Sequence, residues 1–253
     1  MIGCLARDLA NMPVRLDARL ACNRSGSADF ERFVLDLLEP ASTDVVLDIG
    51  PGTGKQLLPL AARVRRILGL EISPDMVAAL APRLPTPNAC ILLGNMDDLP
   101  TLGLPRGFSL VYAVYSLYYS IDPRRVVESV RRLLRGPGAR FVVVAPDQGN
   151  NAGWFADLGQ LFEVPADALE VPRICREVIL PAFLDHFRVV TCSTLCSDVR
   201  FTTVADLMRY YDGCAPYCLP ERRADAEAYF REAFAHDGAY VIAKRSLALV
   251  GRP

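Results

Sequence analysis

Val45-Val46-Leu47-Asp48-Ile49-Gly50-Pro51-Gly52-Thr53-Gly54 is the stretch from which the rest of the chain is read. The apolar run from Val45 to Leu47 fits a parallel strand covered on both faces. Gly50, Gly52 and Gly54 then let the backbone turn sharply and approach a ligand with no Cβ in the way. A second strand, Ile67-Leu68-Gly69-Leu70-Glu71, closes about twenty positions on in a carboxylate, where an acidic side chain can hold ribose hydroxyls. Strand, glycine turn and distant carboxylate together point to a nucleoside-bearing ligand.

Working outward, strands are expected over 44–49, 67–71, 89–93, 108–115 and 140–145. Between them helices are expected over 27–38 with Ser27 as cap, 55–65, 73–84 and 122–135. Ser73 and Asp122 are placed as N-caps, each followed by a proline in the first turn, Pro74 and Pro123. Five strand–helix alternations predict an α/β fold with a doubly wound parallel sheet. Ligands of such sheets sit at the carboxyl ends of the strands. Beyond Asn151 the alternation breaks. Residues 154–178 read as helical pieces, 187–196 as a strand, 203–211 and 222–235 as helices, and 239–250 as a last apolar strand after the turn His236-Asp237-Gly238.

Three nucleotide-binding turns compete at Gly50. A P-loop needs glycine five residues before its Gly-Lys pair and a hydroxyl residue after it, but Ile49 and Gln56 stand there. A dinucleotide fingerprint needs its third glycine one residue later than Gly54. Asp48, directly before the turn, also repels a pyrophosphate. It suits a ligand with a positive end, and S-adenosyl-L-methionine has a sulfonium, an amino group and no phosphate. Asp48 would then act on the amino-acid end, electrostatically or through water, with Glu71 on the ribose.

From Asp44 to Asp147 the chain resembles the class I S-adenosylmethionine-dependent methyltransferases, in particular their bacterial small-molecule branch. Asp48 to Gly54 matches the first motif of that family, and Leu70-Glu71-Ile72-Ser73-Pro74-Asp75-Met76 its second. Gly94-Asn95-Met96-Asp97-Asp98-Leu99-Pro100 matches the adenine segment, Phe108 to Ala113 the fourth strand, and Leu133 to Gly138 the turn before strand five. The resemblance implies a Rossmann-like, seven-stranded, mostly parallel sheet whose antiparallel last strand lies between strands five and six, with a helical insertion. It implies cofactor contacts at Asp48, Gly50, Pro51, Gly52 and Gly54, at Glu71, Ile72 and Met76, at Asn95, Met96 and Asp97, and at Ala113, Val114 and Tyr115. Asn95 stands where the family usually has Asp; its side-chain oxygen can still accept from an adenine amino group. Ser109 stands where the fourth strand often has Asp, a position expected outside the site. Tyr118-Tyr119 replaces a His pair of many relatives.

Tyr118, Tyr119 and Asp147 are the catalytic candidates by their place after strands four and five. Asn150, Asn151, Tyr210 and Tyr211 are the acceptor-binding candidates, with Tyr217 and Cys214 alongside. Packing and turn formation are the plainer roles for these residue types. His186 and His236, the only histidines, carry no motif. Methyl transfer needs mainly alignment of the acceptor, with a general base only for an un-ionised hydroxyl or an acidic carbon.

The 253 residues are expected to form one domain, 1–253, with an N-terminal helical cap over 1–40 and helical additions over 152–182 and 203–236 above the acceptor site. Hydrophobic residues make up 51%, enough for a large core, and the net charge of −1 argues against a nucleic-acid groove. No membrane span or signal peptide is expected, and the location is taken as cytoplasmic. The 8 cysteines are expected as reduced thiols, with Cys192 and Cys196 packed on one strand face and no metal bound. The expected partner is a small-molecule acceptor, and a homodimer is the oligomer considered. Two rivals remain open: a non-catalytic subunit that binds S-adenosylmethionine or S-adenosylhomocysteine, and a nicotinamide-dependent dehydrogenase.

Overall fold

The computed structural model describes residues 13–23, 26–85, 87–214 and 218–253. The candidate Tyr217, and the part of the N-terminal cap before residue 13, lie outside them. Seven strands form one sheet: β1 Val45–Ile49, β2 Arg66–Glu71, β3 Ala89–Leu93, β4 Leu110–Val114, β5 Arg140–Pro146, β6 Val189–Phe201 and β7 Tyr240–Arg252. Their order is β3-β2-β1-β4-β5-β7-β6. β1 to β5 pair parallel, while β7 runs antiparallel to both neighbours, between β5 and β6. β5 is buried at every position, as its run of valines requires of a central strand.

Helices flank the sheet: α1 Pro13–Asn23, α2 Phe30–Leu38, α3 Leu57–Ala61, α4 Pro74–Leu80 and α5 Pro123–Leu133. After β5 come α6 Ala152–Gly159, α7 Ala166–Ile174 and α8 Leu180–His186, the last two joined by a π-turn at Cys175–Ile179. α9 Val204–Gly213 and α10 Arg223–Asp237 lie between β6 and β7. Ser73 and Asp122 cap as expected, accepting from the N–H of Met76 and of Arg125.

Two helices differ from the sequence expectation. α2 is capped by Asp29, which accepts from Arg32 N–H at 2.9 Å. Ser27 instead pairs with Asp198 on β6 through its N–H and hydroxyl. α3 stops at Ala61 rather than running to Arg65. The Asn88 side chain donates to the carbonyls of Ala61 and Val64 at 3.0 and 2.9 Å, taking over acceptors that a longer helix would use.

Two hydrophobic cores cover the two faces of the sheet. At its amino edge Asp44 accepts from Ser109 hydroxyl at 2.6 Å and pairs with buried Arg140 at 3.0 Å, which also donates to the Leu38 carbonyl. Ser109 thus holds the far end of the sheet, away from the ligand edge. A third core sits apart. β5 pairs only with Ser246 to Gly251 of β7, so the earlier residues of β7 and their partners on β6 project past the sheet as a two-stranded ribbon. Trp154, Phe201, Tyr210, Tyr211, Phe230 and Ile242 fill the space between this ribbon, α6, α9 and α10.

Cys192 and Cys196 are exposed on the edge strand β6, not packed. Cys214 and Cys218 are the buried pair of the third core. Among the described residues no three His, Cys, Asp or Glu side chains gather as a metal site, and no helix is long and apolar enough to cross a membrane.

Candidate active site

The carboxyl ends of β1, β4 and β5 open into a cavity of about 580 Å³. Its floor is the glycine turn with Val114 and Tyr115; its roof is α1, the start of α2, α7 and the overhanging ribbon. The turn requires glycine. Gly50 sits at φ +76°, and a Cβ there would lie 2.5 Å from the Ser116 Cβ. Gly50 N–H donates to the Leu70 carbonyl at 2.9 Å, which ties the turn to β2.

Glu71 closes the back of that turn. One carboxylate oxygen accepts from Gly52 N–H and the other from Ser73 N–H, both at 2.9 Å. Each oxygen keeps further lone-pair capacity for a ligand hydroxyl. Ile72, beside it, is 44% exposed, an apolar side chain left facing the open edge of the sheet.

Asp48 departs from its expected orientation. It does not line the cavity; Tyr112 hydroxyl donates to its Oδ2 at 2.6 Å. Burial, with Glu71 nearby, pushes its carboxyl up to about 8 against the opposing bond from Tyr112. At neutral pH the group therefore holds its proton and offers little charge to a sulfonium.

Gly50, Pro51, Gly52, Val114, Tyr115, Tyr118, Tyr119, Asn150, Asn151 and Tyr210 all line the cavity. Gly54, Glu71, Ile72, Met76, Asn95, Met96, Asp97 and Ala113 do not. Met76, Met96 and Ala113 are buried in the protein, and a Cβ on Gly54 would strike Leu80. The Asn95 side-chain oxygen accepts from Asp97 N–H at 3.0 Å, a local turn that occupies the atom expected for adenine. Asp97 takes the Ser120 hydroxyl and Ile121 N–H, bracing the loop after β4.

On the acceptor side Tyr115 has φ +56°, and its hydroxyl bonds Ser246 Oγ at 2.7 Å. Tyr118 and Tyr119 pack ring to ring with centroids 4.7 Å apart. Burial raises the Tyr118 hydroxyl well above its usual range, so it remains a protonated donor. Asp147 does not reach the cavity. Burial alone would raise its carboxyl, but Arg176 Nε and Nη2, both at 2.7 Å, with Gln148 N–H and Thr194 hydroxyl, hold it below the usual range. A carboxylate so committed is a poor base. The partner arises from the π-turn after α7, 29 positions away, which no local pattern shows. Tyr211 is also elsewhere, donating to the Leu219 carbonyl at 2.6 Å. Neither histidine lines the cavity.

Lys244 is a cavity residue with no role expected from the sequence. Its Nζ donates to Asn151 Oδ1 at 2.8 Å and to the Tyr210 hydroxyl. The available signal was compositional: Lys55 and Lys244 are the only lysines in a chain whose other basic residues are arginines.

The methyltransferase domain family matches residues 47–143. An uncharacterized methyltransferase of Mycobacterium tuberculosis is 29% identical over 158 residues, 62% of this chain and 61% of that protein. An O-methyltransferase of Penicillium expansum is 29% identical over 172 residues, 64% of this chain and 59% of that one. The chain thus spans about three fifths of the length of the curated relatives it matches. Among solved structures, the YcgJ protein of Bacillus subtilis superposes with TM-score 0.59 at 18% identity, over 87% of this chain and 96% of that one. A geranyl diphosphate methyltransferase in complex with S-adenosylmethionine superposes with TM-score 0.55 at 20% identity, over 100% and 97%.

Proposed function

We propose that the chain is a class I S-adenosylmethionine-dependent methyltransferase and that it transfers a methyl group from S-adenosyl-L-methionine to a small-molecule acceptor without a metal ion, a reading supported by the methyltransferase-domain match and the strand order. The observation that carries this is the junction of the glycine turn with Glu71: a positive-φ turn lining a covered cavity, and behind it a carboxylate with spare acceptor capacity that holds Gly52 N–H. These residues fit a nucleoside with a charged but phosphate-free tail. Glu71 would hold the ribose, Ile72 the adenine face, and Gly50 to Gly52 the amino-acid end.

When bound, the cofactor supplies a methyl group on a positively charged sulfur, already activated for displacement. The protein's own work is alignment and exclusion of water. Tyr115, fixed by Ser246 and set edge-on to Phe30 with ring centroids 5.7 Å apart, walls the centre of the cavity. Tyr118 and Tyr119 extend that wall, and Leu16 and Leu20 of α1 cover it. Asn150 and Asn151 are placed by β7: Asn150 Oδ1 accepts from Arg245 N–H at 2.9 Å. The acceptor would lie between them and the tyrosines.

Calorimetric titration with S-adenosylmethionine and S-adenosylhomocysteine tests the binding half; a folded protein that binds neither refutes it. Transfer of radiolabelled methyl from S-adenosylmethionine into a metabolite extract tests the catalytic half. Binding without any transfer supports instead the non-catalytic subunit.

A further inference from the structure

Lys244 is a covered cation that no carboxylate of the described residues answers. Among the cavity's cationic side chains, Lys55 stands 3.2 Å from Glu31. Lys244 has no carboxylate within ion-pair distance among the described residues; its neighbours are the Asn151 amide oxygen, the Tyr210 hydroxyl and the Tyr210 ring, whose centroid is 4.6 Å away. An ammonium has three donors, and these partners use two. The groups that act on it electrostatically are Arg19 and Cys22 of α1 and Cys214 at the end of α9. Burial, with Arg19, pushes its pKa down to about 8, while the two thiols push it up. A covered charge without a counter-ion is costly, and an anion arriving with a ligand removes that cost.

The fold sets what such a ligand must look like. Ser246, which holds Tyr115, and Lys244 are two residues apart on β7, so both side chains leave the same face, about 7 Å from each other. Tyr118, Phe155, Val171 and Leu195 line the same cavity, the charged Arg19 and Asp167 being further lining residues. A molecule spanning from the tyrosines to the lysine therefore has an apolar body and an oxyanion at its far end.

Building on the function proposed above, we propose that Lys244, with Asn151 and Tyr210, forms a subsite for a carboxylate of the acceptor, which makes the acceptor an apolar carboxylic acid. Lys244 is a specificity-determining residue here; it grips the end of the acceptor remote from the cofactor turn.

Calorimetry on the protein saturated with S-adenosylhomocysteine tests this, using 3-phenylpropionate and its uncharged amide as probes. The acid is expected to bind at least about tenfold more tightly than the amide near neutral pH, as a charge-assisted bond to a buried ammonium should give. In Lys244→Met, which keeps an apolar stem, the two probes should bind within about twofold of each other. Should that variant fold poorly, the wild-type protein suffices. Near pH 8, in buffers of different ionisation heat, each bound acid should draw in about half a proton, because the anion favours the charged lysine. A preference for the acid that persists in Lys244→Met overturns the proposal. So does the absence of any preference, or of detectable binding, in the wild type. Proton uptake on binding S-adenosylhomocysteine and none on binding the acid also overturns it, by giving the lysine to the cofactor carboxylate. If S-adenosylhomocysteine does not bind at all, the proposed function fails, while the acid titrated into the protein alone still reads Lys244.

Discussion

Asp48→Asn is expected to stabilise the protein at and above neutral pH and to weaken it slightly in acid. Asp48 is 2% exposed, with Tyr112 hydroxyl on one carboxyl oxygen. Its pKa stands at about 8 in the fold, against an ordinary 3.8 in the unfolded chain. Between those values the folded state keeps a proton that the unfolded state releases. Stability therefore falls as pH rises across the window and levels off above it. Each unit of separation is worth about 1.4 kcal/mol, so the full span removes roughly 4–6 kcal/mol. Asparagine has the same shape, no charge at any pH, and an oxygen for the Tyr112 hydroxyl. Its extra amide hydrogen has no assigned acceptor, which costs about 1–2 kcal/mol. The net gain near pH 8 is then about 2–5 kcal/mol, whereas in acid the variant is the weaker by about 1–2 kcal/mol. Urea unfolding of both proteins from about pH 4 to about pH 9 measures this, because groups remote from Asp48 titrate alike in the two and cancel in the difference. Parallel stability curves, or a variant still less stable near pH 8, would refute the assignment of a neutral, buried Asp48.

Glu71→Ala strips the acceptors from Gly52 N–H and Ser73 N–H, so it should lower stability by about 2–4 kcal/mol and weaken S-adenosylhomocysteine binding by about 1–3 kcal/mol, with Glu71→Gln in between. Unchanged unfolding together with unchanged affinity by calorimetry would show that the carboxylate supports neither the turn nor the ligand. Trp154→Ala should cost about 3–5 kcal/mol, since the indole stacks on Phe230 at 5.1 Å and is fully buried in the third core. Hydrogen exchange should then rise first in α9, α10 and the projecting ends of β6 and β7; an equal rise in β1 to β5 would contradict the separateness of that core. Trp154→Phe should be milder, because the indole N–H it removes has no hydrogen-bond partner among the described residues.

The parts legible in the sequence are those whose cause is local. A glycine turn announces itself because Gly50, Gly52 and Gly54 take positive φ. Ser73 and Asp122 cap helices three residues ahead of the N–H they satisfy, and alternating apolar runs mark strands one by one. The expected place of the last strand, between β5 and β6, is where the sheet puts it. Boundaries that depend on a distant side chain were missed: α3 ends where Asn88 reaches it, and α2 begins late because Ser27 pairs with β6.

The same division runs through the candidate site. Sequence alone determined a doubly wound sheet, a glycine turn, and a carboxylate placed to brace or bind at its side, since each rests on neighbours in the chain. Tertiary structure alone decided what the charged groups are free to do. Tyr112, 64 residues from Asp48, meets it across adjacent strands and helps define a buried pocket in which the carboxyl keeps its proton. Arg176 takes up Asp147, and the overhang of β7 past β5 carries Lys244 into the cavity without a counter-ion among the described residues. Burial and partner set the charge state of an ionisable group, and both come from segments far apart in the chain, which no spacing along it records.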